Sequence, residues 1–249
     1  MKAKKKKIVL IAIVSFLLAL AAAAVWFFLF YPVGYRMSVP RRAAFERLSD
    51  GVYINKNNAG DREAIAALID EAKARDAAFF GELRSLDDTV IIICDDEKLI
   101  AKLGGDHDTQ TMPFPAKKSY ISVSDEYLNI DVLAHELTHA ELHGRLAVKP
   151  LLRLPTWFDE GIAVQNDYRE QYGPEAWEEQ TDGGNNTVAP EDMDTPAEFY
   201  AGTAEDRRFR YLNAKHIVAE WMEAHGRQGL LELIDKLNDG ADFDDAYGR

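Results

Sequence analysis

Cysteine is nearly missing from this chain: Cys94 stands alone among 249 residues. One thiol closes no internal disulfide, so stability has to come from a packed core. With 47% hydrophobic residues the chain has the material for one. Cys94 ends the β-branched run TVIIIC (Thr89–Cys94), which reads as a buried strand, and no histidine pattern accompanies it. The thiol therefore reads as structural rather than nucleophilic. Charge is absent from Ile8 to Tyr31, a run of 24 residues. As a helix that run measures about 36 Å, enough for a hydrocarbon core of about 30 Å. A buried core helix is rarely apolar all round for so long. Positive charge is scarce beyond the first seven residues. Setting aside the five lysines that precede Ile8, 24 basic residues of the 29 face 42 acidic ones, a balance near −18. That excludes the clustered cations a nucleic-acid partner needs, and close adhesion to an anionic bilayer. Internal repeats and long low-complexity tracts are also absent.

What is present divides the chain into a basic tail (1–7), a transmembrane anchor (8–31), a short proline-bounded stalk (32–50) and one globular domain (51–249). A cleaved signal peptide is the competing reading of the apolar run, with Ala21–Ala24 as small residues at a cleavage site. Against it, the run continues through Val25, Trp26, Phe27, Phe28, Leu29 and Phe30, where a signal peptide normally turns polar. Trp26 and Tyr31 suit the far interface, and the lysines stay in the cytoplasm by the positive-inside tendency. The rest of the chain then lies outside.

Beyond the anchor, Arg41–Ser49 has helical character and Gly51–Asn55 reads as a short strand. Asp61 caps a helix to about Phe80, the strand Thr89–Cys94 follows, and Glu97–Leu103 is a short helix. The segment from Asp106 to Lys118, with Pro113 and Pro115, reads as loop. Ser119–Ser124 (SYISVS) alternates like a strand with one wet face. A central helix runs from Asn129, with Asn129 or Asp131 as cap, to His143, with Gly144 at the left-handed terminal position. A second helix spans about Thr156–Tyr168. After a polar stretch, helices run from about Glu205 to Ala224 and from Gln228 to Asn238. The expected class is α+β: a small strand-bearing half, then a mainly helical half, with helices on one face of an antiparallel or mixed sheet.

The central helix carries LAHELTHAELHG (Leu133–Gly144). Residues four apart on a helix point the same way, so His135 and His139 can hold one ion. Zinc accepts two imidazoles in a tetrahedral set. Glu136 lies about 100° round the helix, placed to reach a water on the metal without ligating it, as a general base requires. The same residues could also be the polar face of a surface helix. His143 stands about 12 Å along the axis from His135, too far to share the ion, and reads as exposed or supporting. A third ligand could come from LPTWFDEGIA (Leu154–Ala163), where Asp159 and Glu160 are adjacent carboxylates on the next helix.

The HExxHxxGxxH pattern of metzincins fails, because Leu142 and Arg145 occupy the glycine and third-histidine places. HELTH followed by PTWFDEGIA resembles instead the gluzincin metallopeptidases, in particular compact bacterial ones with a W-x-x-E-G-x-A helix after HExxH. The resemblance covers roughly Ser119 to the C-terminus and leaves Arg41–Lys118 unassigned. It implies a zincin-like catalytic domain with Glu160 as third zinc ligand, beside Trp157, Gly161 and Ala163. It also implies that Tyr211, in RYLNAKHIVAEWMEAHG, donates to the oxyanion of the tetrahedral intermediate. A core tyrosine is the structural alternative there, and His216 a rival for the same role. Thermolysin-like enzymes place an aspartate four residues after the third ligand to orient a zinc histidine. Here that place is Val164, so support would come from elsewhere, with Asn129, Asp131 and Asn166 as candidates.

These readings imply a zinc peptidase on the outer face of a membrane. Zinc held by His135, His139 and Glu160 polarises a peptide carbonyl, and Glu136 takes the proton of the attacking water and returns it to the leaving amine. The partners are a peptide or protein substrate and the membrane, with no nucleic acid. SYISVS is either the edge strand that pairs with extended substrate or an ordinary internal strand. The alternative function is a zinc-retaining module that captures partners without turnover. A structural zinc site, or a coincidental HELTH, is the third.

Overall fold

The computed structural model describes residues 2–114 and 116–249, with side chains from Val9 onward. Pro115, expected in a loop, and the side chains of the lysine tail lie outside the described residues. Helix α1 (Lys2–Phe30) contains Val9–Phe30, the one helix among the described residues long and apolar enough to cross a membrane. After Tyr31 the chain turns directly into α2 (Pro32–Ser38). Residues 32–50, expected as a stalk, are folded onto the domain: Val33, Tyr35, Arg36 and Val39 are all buried. Where Arg41–Ser49 promised a helix, β1 (Phe45–Ser49) forms a hairpin with β2 (Val52–Asn55). The two-residue turn Asp50-Gly51, with Gly51 at φ +72°, is the local cause.

Asp61 caps α3 (Arg62–Phe80), accepting from the backbone N–H groups of Glu63 and Ala64. Then follow β3 (Thr89–Cys94), α4 (Glu97–Leu103), β4 (His107–Met112), β5 (Lys118–Ser124) and α5 (Ile130–Arg145). The sheet order is β1-β2-β3-β5-β4. β3 runs parallel to both β2 and β5, while β1 and β4 are antiparallel edges. All six residues of β3 are buried, as its unbroken apolar run requires. The sheet is covered on both faces rather than one. Ile54, Ile91, Ile93, Ile121 and Val123 pack against α3 and α5. Ile92, Cys94 and Tyr120 pack against Tyr35 and Val39 from the α2 side and Leu103 of α4.

SYISVS is internal, paired with β3 on one side and β4 on the other. The edge on this side of the sheet is β4, within the segment expected as loop. Its sequence HDTQTM lacks apolar alternation, because one face looks into a cleft rather than a core. Gly144 stays helical, and α5 runs on to Arg145.

The second half comprises α6 (Val148–Leu151), α7 (Thr156–Gln165), α8 (Pro174–Thr181), α9 (Pro196–Phe199), α10 (Ala204–Asn238) and α11 (Phe243–Tyr247). α7 stops short of Tyr168. α10 is broken at Gly226 (φ 64°, ψ −172°), so it is the two expected helices joined at a glycine. Trp157, Phe158 and Ile162 of α7 join Ala214, Val218, Leu230 and Leu233 of α10 in a second core. The molecule is thus α+β, with a mixed five-stranded sheet, a helical second half and one long apolar N-terminal helix.

Candidate metal centre

α5 is buried from Val132 to Leu142, its apolar side against the sheet and its polar side against α7 and β4. Asn129 caps it, accepting from the N–H groups of Asp131 and Val132 at 3.0 Å. One turn separates His135 from His139, and their Nε2 atoms lie 3.2 Å apart. α7 crosses this turn and brings Glu160 Oε2 to 3.5 Å from His135 Nε2 and 3.2 Å from His139 Nε2. Its position is fixed from behind by Gly161. A Cβ there would fall 2.6 Å from Val218 Cγ2 and 2.7 Å from the Ala214 carbonyl oxygen, so only glycine lets α7 sit this close to α10. The small residue serves the α7–α10 contact rather than the α5–α7 contact.

Three ligand atoms thus form a triangle with edges of 3.2 to 3.5 Å. Ligands about 2.0–2.1 Å from a tetrahedral ion stand roughly 3.3 Å apart. His135, His139 and Glu160 are all buried, and Glu160 Oε2 has no hydrogen-bond partner within the protein. A buried carboxylate oxygen left facing two imidazole nitrogens is costly unless a cation satisfies it. The group could hold a metal ion.

The charges agree. Burial raises the Glu160 carboxyl, but His139 and His135 outweigh it and hold the group well below the usual carboxylate range. Burial likewise raises Asp159, and His143 and His139 outweigh it in the same direction. Asp159, read from sequence as the rival ligand, turns away from the triangle. Its Oδ1 lies 2.8 Å from His139 Nδ1 and its Oδ2 2.8 Å from His143 Nε2. An ionised carboxylate only accepts, so both nitrogens donate, and His139 turns its Nε2 to the triangle. Burial lowers the His139 imidazole, but without an ion there Asp159 and Glu160 outweigh it and push the group well above its ordinary range. His143 is half-buried, and its Nδ1 meets Thr111 Oγ1 at 2.8 Å. It supports Asp159 rather than the triangle. His139, His143 and Asp159 also form a second metal-capable group that shares His139 with the first.

The three residues expected to orient the histidines do other work. Asn129 caps α5, and Asp131 accepts from Arg75 Nη1 at 2.5 Å. Asn166 donates to Asp76 Oδ1 at 3.0 Å and to Thr138 Oγ1 at 2.9 Å. The carboxylate near His135 is Asp167, fully buried, with Oδ2 3.8 Å from His135 Nδ1 and held by Arg169. Asp159 thus hydrogen-bonds His139, whereas Asp167 is only the carboxylate nearest His135, whose buried Nδ1 has no hydrogen-bond partner. The sequence signal for Asp159 was there, in the FDEG motif. For Asp167 there was none.

Glu136 is 4% exposed, and the Thr109 hydroxyl of β4 donates to its Oε2 at 2.7 Å. With the triangle it borders a cleft of about 660 Å³, lined also by His107, Asp108, Tyr200 and Tyr211. The Tyr211 ring lies 6.1 Å from that of His135 and packs edge-on to Phe199 at 5.0 Å. It is a core residue and a cleft residue at once. Burial, then Glu160, pushes the Tyr211 and Tyr200 phenols up, so both keep their protons at neutral pH. Tyr200, which sequence reasoning missed, donates to Glu160 Oε1. It sits just after the four-residue α9, too short for a periodic signal. His216 is elsewhere, stacked on Trp177 at 3.7 Å beside a separate pocket. In comparisons with known proteins, no family model matches the chain and no curated protein matches its sequence.

Proposed function

We propose that this chain is a membrane-anchored zinc peptidase of gluzincin type, with its cleft outside the cytoplasm. The observation that carries the reading is the buried His135–His139–Glu160 triangle with Glu136 beside it on the same cleft. Zinc suits two imidazoles and a carboxylate, and when bound there it would polarise a carbonyl and lower the pKa of water towards about 7. The protein's own residues do the rest. Glu136, steadied by the Thr109 hydroxyl, takes a proton from the attacking water and delivers it to the leaving amine. Tyr211 keeps its phenolic proton and serves as donor to the carbonyl oxygen as its charge grows, while Tyr200 donates to Glu160 Oε1 and holds that carboxylate. The β4 edge is the backbone template for an extended substrate.

The test is removal and return of metal. A chelator should abolish cleavage of a broad peptide library by the full chain in nanodiscs, and one equivalent of zinc should restore it. Metal capture with no new peptide termini under any condition would instead favour a zinc-retaining binding module.

A further inference from the structure

The junction between the apolar helix and the rest of the chain is closely packed, and it ends at the cleft. One residue, Tyr31, separates α1 from α2. A Cβ on Gly34 would fall 2.4 Å from the Phe27 carbonyl oxygen, so α2 is packed tightly on the end of α1. Arg42 donates to the Phe28 carbonyl and lies 3.6 Å over the Tyr35 ring, tying the two helices to the start of the sheet. Tyr35 and Val39 are part of the core on one sheet face.

Arg36 completes the link. Its side chain is 0% exposed. Its Nε donates to the Leu103 carbonyl at 2.6 Å and its Nη1 to the Asp108 carbonyl at 3.2 Å. Its Nη2 pairs with the Asp108 carboxylate at 2.9 Å. Asp108 and Gly104 both line the cleft beside Glu136, and a Cβ on Gly104 would fall 3.2 Å from Arg36 Nη2 and 3.0 Å from Pro32 Cβ. A buried guanidinium fully committed to the cleft wall leaves α2 no freedom to act as a flexible tether.

The height of the cleft follows. Phe30 to Pro32 spans at most about 7 Å, Pro32 to Arg36 rises about 6 Å as helix, and an extended arginine side chain adds roughly 7 Å. With the 2.9 Å from Arg36 Nη2 to its carboxylate, Asp108 therefore lies within about 23 Å of the end of the apolar helix, no further out than about the middle of a body roughly 40 Å across. The acidic balance of the outer chain keeps the domain from leaning on anionic lipid, so the packed junction sets that height.

We infer that the cleft takes its substrate from the membrane surface: polypeptide segments of membrane-tethered proteins within a short distance of where they leave the bilayer, in preference to free peptides. This rests on the peptidase reading above. Tethering both partners to one bilayer also raises their effective concentration.

The test uses the full chain in vesicles that carry a single-pass reporter protein, whose outer segment is a randomised stretch of about 60 residues, roughly 200 Å when extended. Cut sites are mapped by mass spectrometry. Cleavage is expected to concentrate in the first 15 or so residues, about 50 Å at full extension, at least about tenfold above the distal part. A flexible Gly/Ser insert of about 20 residues between Tyr31 and Pro32 releases Gly34 and Arg42 from α1, keeps the contacts of Tyr35, Arg36 and Val39 with the sheet and cleft wall, and should spread the cuts outward. A second readout needs no activity. A dye on Arg208→Cys, at the cleft mouth, should transfer energy to headgroup dyes efficiently in the native chain and weakly in the chain with the insert. Cuts spread evenly along the reporter, or unmoved by the insert, would overturn the inference and leave the peptidase reading standing. Absence of cleavage on reporter and free library alike, with the dye reporting a low cleft, would overturn the peptidase reading and the substrate inference with it.

Discussion

Asp159 and Asp167 make the sharpest contrast among single residues. Asp159 touches His139 Nδ1 at 2.8 Å, whereas Asp167 stands 3.8 Å from His135 Nδ1. Loss of a carboxylate behind a metal-binding histidine typically costs about 10–100-fold in affinity. Asp159→Asn is expected to weaken zinc binding across that range, and Asp167→Asn by less, in competition titrations against a calibrated chelator; equal losses would contradict the assignment. Asp76 makes a different case. Burial pushes its carboxyl up to about 7, although the Thr138 hydroxyl donates to it. Unfolded, it ionises near 3.9. Between those values the folded chain holds a proton that the unfolded chain has released, so stability falls as pH rises from about 4 to about 7. Asp76→Asn, which keeps an acceptor for Thr138 and Asn166, should flatten that slope and gain about 1–3 kcal/mol at pH 8. Urea unfolding at pH 5 and pH 8 measures it, and an unchanged slope would count against the assignment. Of the site, sequence made His135, Glu136 and His139 visible because helical periodicity links them within one turn. Glu160 was visible only through its motif. Tyr200 and Asp167 reach the site through tertiary packing, which leaves no local pattern.

At the scale of elements, α7 is the piece whose position decides the site. It is held between α5 and α10, and Gly161 sets its closeness to α10. Gly161→Ala is expected to cost about 1–3 kcal/mol by overpacking. It should also lower zinc affinity, since the neighbouring Glu160 moves with the backbone. Thermal unfolding and a zinc titration on one sample check both, and a loss of stability with unchanged affinity would unlink the two. The long helices were legible from their caps and apolar spacing, as Asp61 and Asn129 show. β4 was not, because HDTQTM is an edge strand held by backbone pairing to β5 with one face towards the cleft. β1 was not, because FERLS has as much helical as strand character. The Asp50-Gly51 turn after it was the usable cue.

For the whole molecule, α2 is the joint between the long apolar helix and the rest of the chain. A chain beginning at Pro32 is expected to unfold cooperatively. One beginning at Arg42 loses Tyr35 and Val39 from the sheet face and leaves Asp108 without Arg36. The apolar loss alone is about 3–6 kcal/mol for two buried side chains. Urea midpoints of the two chains should differ accordingly, and equal midpoints would mean that α2 is a tether after all. The most direct measurement of the peptidase reading compares the wild-type chain with Glu136→Gln for zinc content and for peptide-library cleavage in parallel. The expected result is one zinc per chain in both, with cleavage about 10²–10⁴-fold lower in the variant. Full cleavage by Glu136→Gln, or no zinc in either protein, would contradict it.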